Sequence, residues 1–216
     1  MNADVTQRKT PAKTGAGGRG ARQRILAAAI KLFYNEGINA TGVERLATEA
    51  SVSKRTLYQH FPSKDAVVEE YLRVIQQHVG DPLRPGPDDL RRTPRARILA
   101  LFETPSPDGQ MRGCPFHNAA VEAAETMPEI HEIVQEHKRS YIDGVARLAK
   151  EAGAANPKLL ANQLAVLYEG AAALSTSLDD PTPWTHARKA AQTLIDLAVA
   201  SQRGQPCPLS VRLRRR

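Results

Sequence analysis

The chain is 216 residues long, 41% hydrophobic and 25% charged, which excludes a disordered tail protein and allows one ordinary domain or two small ones. Aromatic residues make up only 5%, so alanine-rich helix is favoured over sheet. The net charge of +7 sits at the ends: residues 1 to 24 hold Arg8, Lys9, Lys13, Arg19, Arg22 and Arg24 against Asp4, residues 201 to 216 hold Arg203, Arg212, Arg214, Arg215 and Arg216, and the stretch between is slightly acidic. A nucleic-acid partner is expected at the N-terminal end of such a body. Two cysteines, Cys114 and Cys207, are too few and too dispersed for a disulfide framework or a zinc site, which fits a reducing, cytoplasmic setting. The N-terminus has no apolar run after its charges and does not read as a signal peptide. The stretch nearest to a membrane span, Leu159 to Leu178, contains Asn162, Gln163 and Glu169 and reads as a buried helix, so no membrane partner is expected.

In chain order, residues 1–18 have the composition of a basic, unfolded arm. The string Gly15-Ala-Gly-Gly-Arg-Gly20 matches a dinucleotide fingerprint in letters only, because no strand precedes it, and it reads as flexible linker. From Ala21 the pattern is helical, with Ile25, Ala29, Leu32 and Phe33 on one face and Gly37 as the stop. Val43, Leu46, Ala47 and Ala50 predict a short second helix behind Thr41 and Gly42 as caps. Ser51-Val52-Ser53 is a turn whose last serine caps a third helix, Lys54 to Phe61, and Ser63 caps a fourth that runs through Val68 and Leu72 toward His78. Three short helices with this turn form a helix-turn-helix, spanning about 42–61, whose third helix is suited to a major groove. Prolines 82, 85 and 87 mark a break, as do Pro105 and Pro107 after a helix around Arg95 to Glu103. Further helices are predicted at about 113–126, 128–152, 157–179 and 183–202, with no convincing strand. The fold class is all-α. Leu160, Leu164, Leu167, Ala171, Leu174 and Leu178 recur at coiled-coil spacing and are answered by Ala191, Leu194, Ala198 and Ser201, so these two C-terminal helices are expected to pair with a second copy in a twofold homodimer; the alternative is that both stripes face the chain's own core.

The string Val52-Ser-Lys-Arg-Thr-Leu-Tyr-Gln-His-Phe61, followed by Ser63-Lys64, resembles the tetracycline-repressor (TetR/AcrR) family of bacterial transcription regulators, and the likeness runs from Arg19 to about Val79. It implies a DNA-binding domain at 19–79, a helical ligand-binding and dimerisation domain at 80–202 and a basic tail at 203–216. Two positions depart from the family pattern: Ser51 stands where a turn glycine is usual, and Gly42 stands where Ser or Thr often caps the second helix. If Ser51 adopts φ > 0, the cost is ~1 kcal/mol with the fold intact.

Leu57 and Phe61 are expected to face the core with Val43, Leu46 and Ala47, which turns the rest of the third helix outward. Lys54 and Arg55 are placed to reach guanine edges and Gln59 to pair with adenine. The resemblance implies phosphate contacts for Thr56, Tyr58, His60 and Lys64, and Lys64 also opens a helix whose free N–H groups suit a phosphate. Thr41 and Arg45 are further candidates. Each of these side chains has a plainer alternative as a solvated surface group.

For the second half, the resemblance implies a small, apolar effector but not its identity. Arg112-Gly-Cys-Pro-Phe-His-Asn118 looks like the Gly-Cys-x-x-x-Asn segment of one subgroup. Pocket candidates are Leu99, Phe102, Cys114, Phe116, His117, Tyr141, Tyr168 and Trp184, each of which could equally be core. Cys114 near a helix start supports an alternative, a thiol-based redox regulator, against plain structural burial. His117, His131 and His137 beside Glu132 have the spacing of a solvated helix face rather than a metal site, and no cofactor is expected. No nucleophile, base and orienting group occur together, so catalysis is not expected. The function implied is a one-component regulator, a repressor released from a palindromic operator by its ligand.

Overall fold

The computed structural model describes residues 17–78, 92–104, 112–123 and 127–202. The residues before position 17, with Arg8, Lys9 and Lys13, the prolines at 82, 85, 87, 105 and 107, and the tail from 203 with Cys207 lie outside them. Among the described residues every regular element is an α-helix: α1 (Gly17–Asn35), α2 (Val43–Glu49), α3 (Lys54–His60), α4 (Lys64–His78), α5 (Pro94–Ala100), α6 (Pro115–Ala123), α7 (Pro128–Glu151), α8 (Pro157–Leu178) and α9 (Thr182–Gln202). The linker reading of Gly15–Gly20 is corrected at Gly17–Gly20, which form the first turn of α1, a helix held in place by the fully buried Ala21 and Ile25. Helix α5 stops at Ala100, short of the expected Glu103, because the next three N–H groups fold back on Ile98, Leu99 and Ala100 in a tight turn that buries Phe102.

The starts are set by local chemistry. Ser53, Ser63, Thr93 and Asn156 each accept a backbone N–H three residues on, and Pro94, Pro128 and Pro157 occupy first-turn positions where a missing N–H costs nothing. Gly42 precedes α2 with no side-chain cap. The ends of α2 and α7 share one geometry, in which the second residue past the cap donates to a carbonyl five back: Val52 to Ala47 and Ala154 to Ala149. At α7 the left-handed residue is Gly153, φ 84°, and at α2 it is Ser51, φ 52°.

Two cores result. The first gathers Ile25, Leu32 and Phe33 of α1, Leu46 of α2, Leu57 of α3, Phe61 and Val68, Tyr71 and Leu72 of α4. It also takes Phe116, Ala119 and Ala123 of α6 and Ile130 and Val134 of α7, so packing crosses the sequence division expected at residue 79. The second core joins α5, the rest of α7, α8 and α9 around Phe102, Leu148, Leu164, Trp184 and Ile195. Two of the basic residues near the N-terminus are structural: Arg22 pairs with Glu70 and lies over the Phe61 ring, and Arg24 Nε donates to the Ala50 carbonyl at the end of α2.

The seam expected along Leu160 to Leu178 is corrected. Leu160, Leu164 and Ala171 are buried in the chain's own core, as is Ala191, while Leu174 and Leu178 emerge on the outside. Leu160 and Leu178 are 18 residues, five whole turns, apart and so share one side of the helix, yet Leu160 is 2% and Leu178 62% exposed: the core covers that side at the start of α8 and leaves it uncovered in the last turn.

Because Ser51 holds a conformation that glycine adopts without steric cost, Ser51→Gly is expected to raise stability by up to about 1 kcal/mol, read as a higher urea midpoint at unchanged m-value.

Candidate functional site

Helix α3 is oriented by its buried side. Leu57 and Phe61 pack against α1 and α2, Ser53 caps the start, and Lys54, Arg55, Tyr58 and Gln59 are left exposed, with Thr56 and His60 half-buried between. Tyr58 stands out with 43% of its surface open. Lys64, in the first turn of α4, borders the same face; burial pushes its ammonium below the usual lysine range, while Glu122 and Asp65 pull it back. Lys54 is paired with Glu44 of α2, which raises Lys54 and is itself held below the usual carboxylate range. Arg45 is fixed between Glu36 and Glu49 at 2.9 and 3.0 Å. Arg55 has no ion-pair partner among the described residues. Thr41 does not belong to this face: it is 0% exposed, and its hydroxyl donates to the Gly37 carbonyl at 2.7 Å, closing the turn between α1 and α2.

A half-open cleft of about 190 Å³ lies between the start of α6 and the middle of α8. Its floor is made by Gly113, φ 75°, where a methyl group would stand 3.3 Å from Thr176 Oγ1. Asn118 Nδ2 donates to the Arg112 carbonyl at 2.7 Å and fixes the turn into α6. Lys138 Nζ donates to Cys114 Sγ at 3.4 Å and pairs with Glu169, whose other oxygen is 3.9 Å from His117 Nδ1.

Of the expected pocket residues, Cys114 and His117 line this cleft. Phe116 does not: it points into the first core and stacks on the His137 ring at 3.5 Å. Leu99, Phe102, Tyr141, Tyr168 and Trp184 belong to the second core, where Tyr168 sits 6.3 Å from Phe102, 5.6 Å from Tyr141 and 5.2 Å from Trp184. Burial drives the Tyr141 phenol up and pushes Tyr168 up to about 12, with the neighbouring Glu169 carboxylate adding to both. Both therefore stay protonated across the physiological range. Lys138, Glu169 and Thr176 are not among the expected pocket residues, and Asn118 enters only as the end of the Gly-Cys-x-x-x-Asn segment; the available signal is Glu169, the one acidic residue of α8. Among the described residues no three of His, Cys, Asp and Glu converge as a metal set.

Helix α6 ties this cleft to the N-terminal helices at both of its ends. Arg112 donates from its guanidinium to the Tyr34 and Asn35 carbonyls, its N–H goes to Tyr34 Oη, and Tyr34 Oη donates to the Gly113 carbonyl at 3.3 Å. At the far end Glu122 accepts the Asn39 N–H at 2.7 Å, and the Asn39 amide donates to the Glu122 carbonyl at 3.0 Å.

Two family models match this chain, one described as bacterial regulatory proteins, tetR family, over residues 25–71, and one as tetracyclin repressor-like, C-terminal domain, over residues 95–191. A putative transcriptional regulator of Streptomyces avermitilis is 31% identical with a TM-score of 0.65, over 79% of this chain and 97% of that one. A TetR-family regulator of Streptomyces coelicolor is 29% identical with a TM-score of 0.68, over 83% of this chain and 96% of that one. The transcriptional activator FasR of Mycolicibacterium smegmatis is 34% identical over 116 residues, 50% of this chain and 51% of FasR, so the likeness spans about half of that protein.

The Arg112 contacts cap the carbonyl end of α1, so Arg112→Ala is expected to cost about 1 kcal/mol in chemical denaturation. A double-mutant cycle with Tyr34→Phe should then show coupling rather than additivity.

Proposed function

The chain belongs to the TetR family of bacterial regulatory proteins, and from that premise we propose that it is a one-component regulator that represses from a palindromic operator and is released by a small, largely apolar effector. The observation that carries this is the face of α3: Leu57 and Phe61 are sunk in the core, and Lys54, Arg55, Tyr58 and Gln59 stand outward beside Lys64. Arg55 and Lys54 read guanine, Gln59 reads adenine, and Thr56, Tyr58, His60, Lys64 and Arg45 hold phosphates. A homodimer presents two such helices about one helical turn of DNA apart, ~34 Å, which makes the operator a palindrome. A dimer seated on its operator blocks polymerase there, which gives repression as the sign. Its place of work is the cytoplasm, where the chromosome is; no helix among the described residues is long and apolar enough to cross a membrane.

The effector enters the cleft between α6 and α8. Because α6 also grips Tyr34 and Asn35 through Arg112 and the α1–α2 turn through Glu122, a ligand that shifts α6 shifts α1 and the reading helix with it. Release follows from the ligand's differential affinity for the two arrangements of the dimer. The aromatic cluster of Phe102, Tyr141, Tyr168 and Trp184 is the packed wall against which such a shift takes place.

Selection of genomic fragments at about 150 mM salt, where nonspecific phosphate attraction is suppressed, should enrich one palindrome. Tyr58→Ala and Lys64→Ala should weaken binding to all sequences alike, Lys64→Ala lowering the salt slope by about one, while Gln59→Ala should relax a single operator position at a cost of about 1–3 kcal/mol. No enriched palindrome, or unchanged binding by both phosphate variants, sinks the reading. If instead Cys114 is itself a redox sensor, Cys114→Ser abolishes a response to peroxide; with a bound effector it only shifts the effector's affinity.

A further inference from the structure

We propose that Glu44 reads DNA: on the interface proposed above, on which this inference rests, Glu44 and Lys54 act as one unit on a single G·C base pair, Lys54 donating to the guanine and Glu44 accepting from the 4-amino group of its cytosine. Glu44 lies in the first turn of α2, outside the core that takes Leu46 and Ala47, and its carboxylate meets Lys54 Nζ in the first turn of α3 at 2.5 Å. The neighbouring carboxylates Glu36 and Glu49, which hold Arg45, keep 43% and 24% of their side chains open, whereas Glu44 keeps 75%. A carboxylate that projects beside the tip of a groove-reading lysine faces the charge of the phosphates, and that repulsion costs affinity at every sequence. It is offset only where a base presents a donor.

The chemistry of the pair selects the donor. Lys54 holds the Glu44 carboxyl below the usual carboxylate range, so at neutral pH it has no proton to give and only accepts. The donors in the major groove are the amino groups of cytosine and adenine, and the neighbouring atoms decide between them. Guanine O6 and cytosine N4 are bonded to each other, ~2.9 Å apart, and lie side by side on the groove edge as acceptor and donor. Lys54 Nζ and Glu44 Oε1 lie side by side as donor and acceptor at nearly the same spacing. Set on that edge with Lys54 over guanine, the ion pair makes both contacts without breaking its own. The ammonium carries three N–H groups, one for Glu44, one for O6 and one for N7. On a T·A pair acceptor and donor recur in the same order, but Lys54 then meets the thymine methyl and Glu44 the lone pair of adenine N7. On a reversed pair the ammonium faces the amino group and the carboxylate faces O6. The unit therefore distinguishes both the identity and the direction of one base pair in each half-site.

The operator enriched by the full-length chain is remade with each cytosine in turn replaced by 2-pyrimidinone, which lacks the 4-amino group, and affinities are measured for the unsubstituted protein, Glu44→Ala and Lys54→Ala. At one position per half-site the missing amino group should weaken binding by the unsubstituted protein about tenfold beyond its effect on Glu44→Ala, and at every other cytosine the two should lose equally. Lys54→Ala should lose discrimination at that same base pair. Glu44→Ala should also bind random-sequence DNA more tightly and with a steeper salt dependence, because Lys54 is then free for a phosphate; a protein damaged in folding does the opposite. Equal amino-group losses for the unsubstituted protein and Glu44→Ala at all cytosines mean that the carboxylate reads no base, and they overturn the proposal. Lys54→Ala acting on a different base pair from Glu44→Ala overturns the shared unit. With no operator enriched at all, the regulator proposed above falls and this inference with it, an outcome distinct from an operator that is bound but blind to Glu44.

Discussion

Helix α6 has nine residues, too few to hold together alone, and its position is dictated by what its two sides touch. One side sinks Phe116, Ala119 and Ala123 into the core of the N-terminal helices; the other, with Cys114 just ahead of the helix, offers His117 and Asn118 to the cleft against α8. The two cores of the molecule are therefore not independent bodies joined by a hinge. They share an element that is tightly packed on one side and lines open space on the other. A close-packed core transmits a displacement rather than absorbing it, and open space is where a displacement can begin. The hydrogen bonds of Arg112 and Glu122 at the two ends add direction, because they fasten α6 to the end of α1 and to the turn that follows it. The site at the surface of α3 inherits its orientation from this arrangement through the common core.

The reading face has a second constraint, which is electrostatic. Glu44 sits on Lys54, and Glu36 and Glu49 sit on Arg45, so part of the positive charge is already answered within the protein. Such exposed pairs are weak and are readily exchanged for phosphates. Their effect is to lower attraction for DNA in general more than for a site where base contacts repay the exchange, which favours selectivity over raw affinity.

How much of this the sequence discloses depends on the range of the interaction. The helices of the N-terminal half are legible because their signals are local: a serine three residues ahead of a free N–H, a proline at a first turn, Ile25 and Ala29 on one face. The positive φ of Ser51 is legible only through the resemblance, because it stands where the family has a turn glycine. Thr41 misleads because a hydroxyl before a helix looks the same whether it faces solvent or turns back on the Gly37 carbonyl. The stripe of α8 misleads because heptad spacing marks an apolar side without saying what covers it: Leu160, Leu164 and Ala171 pack at home, while Leu174 and Leu178 farther along lie exposed. The cleft is hardly legible, since Lys138 and Glu169 are 31 residues apart and His117 comes from a third helix, with no period to connect them. The aromatic residues near these positions draw attention as pocket walls, but their size is better used in filling a core, and three of them pack around a fourth, Tyr168.

Trp184 is the chain's one tryptophan, buried in the second core and edge-on to Tyr168 at 5.2 Å. Tyr168 in turn lies within electrostatic reach of Glu169 and Cys114 in the cleft. The protein thus carries an intrinsic fluorophore located away from the reading helix and one ring removed from the cleft. Its emission can follow events at the cleft without interference from other indoles, and without a label, while the surface that meets DNA stays optically silent in the same channel.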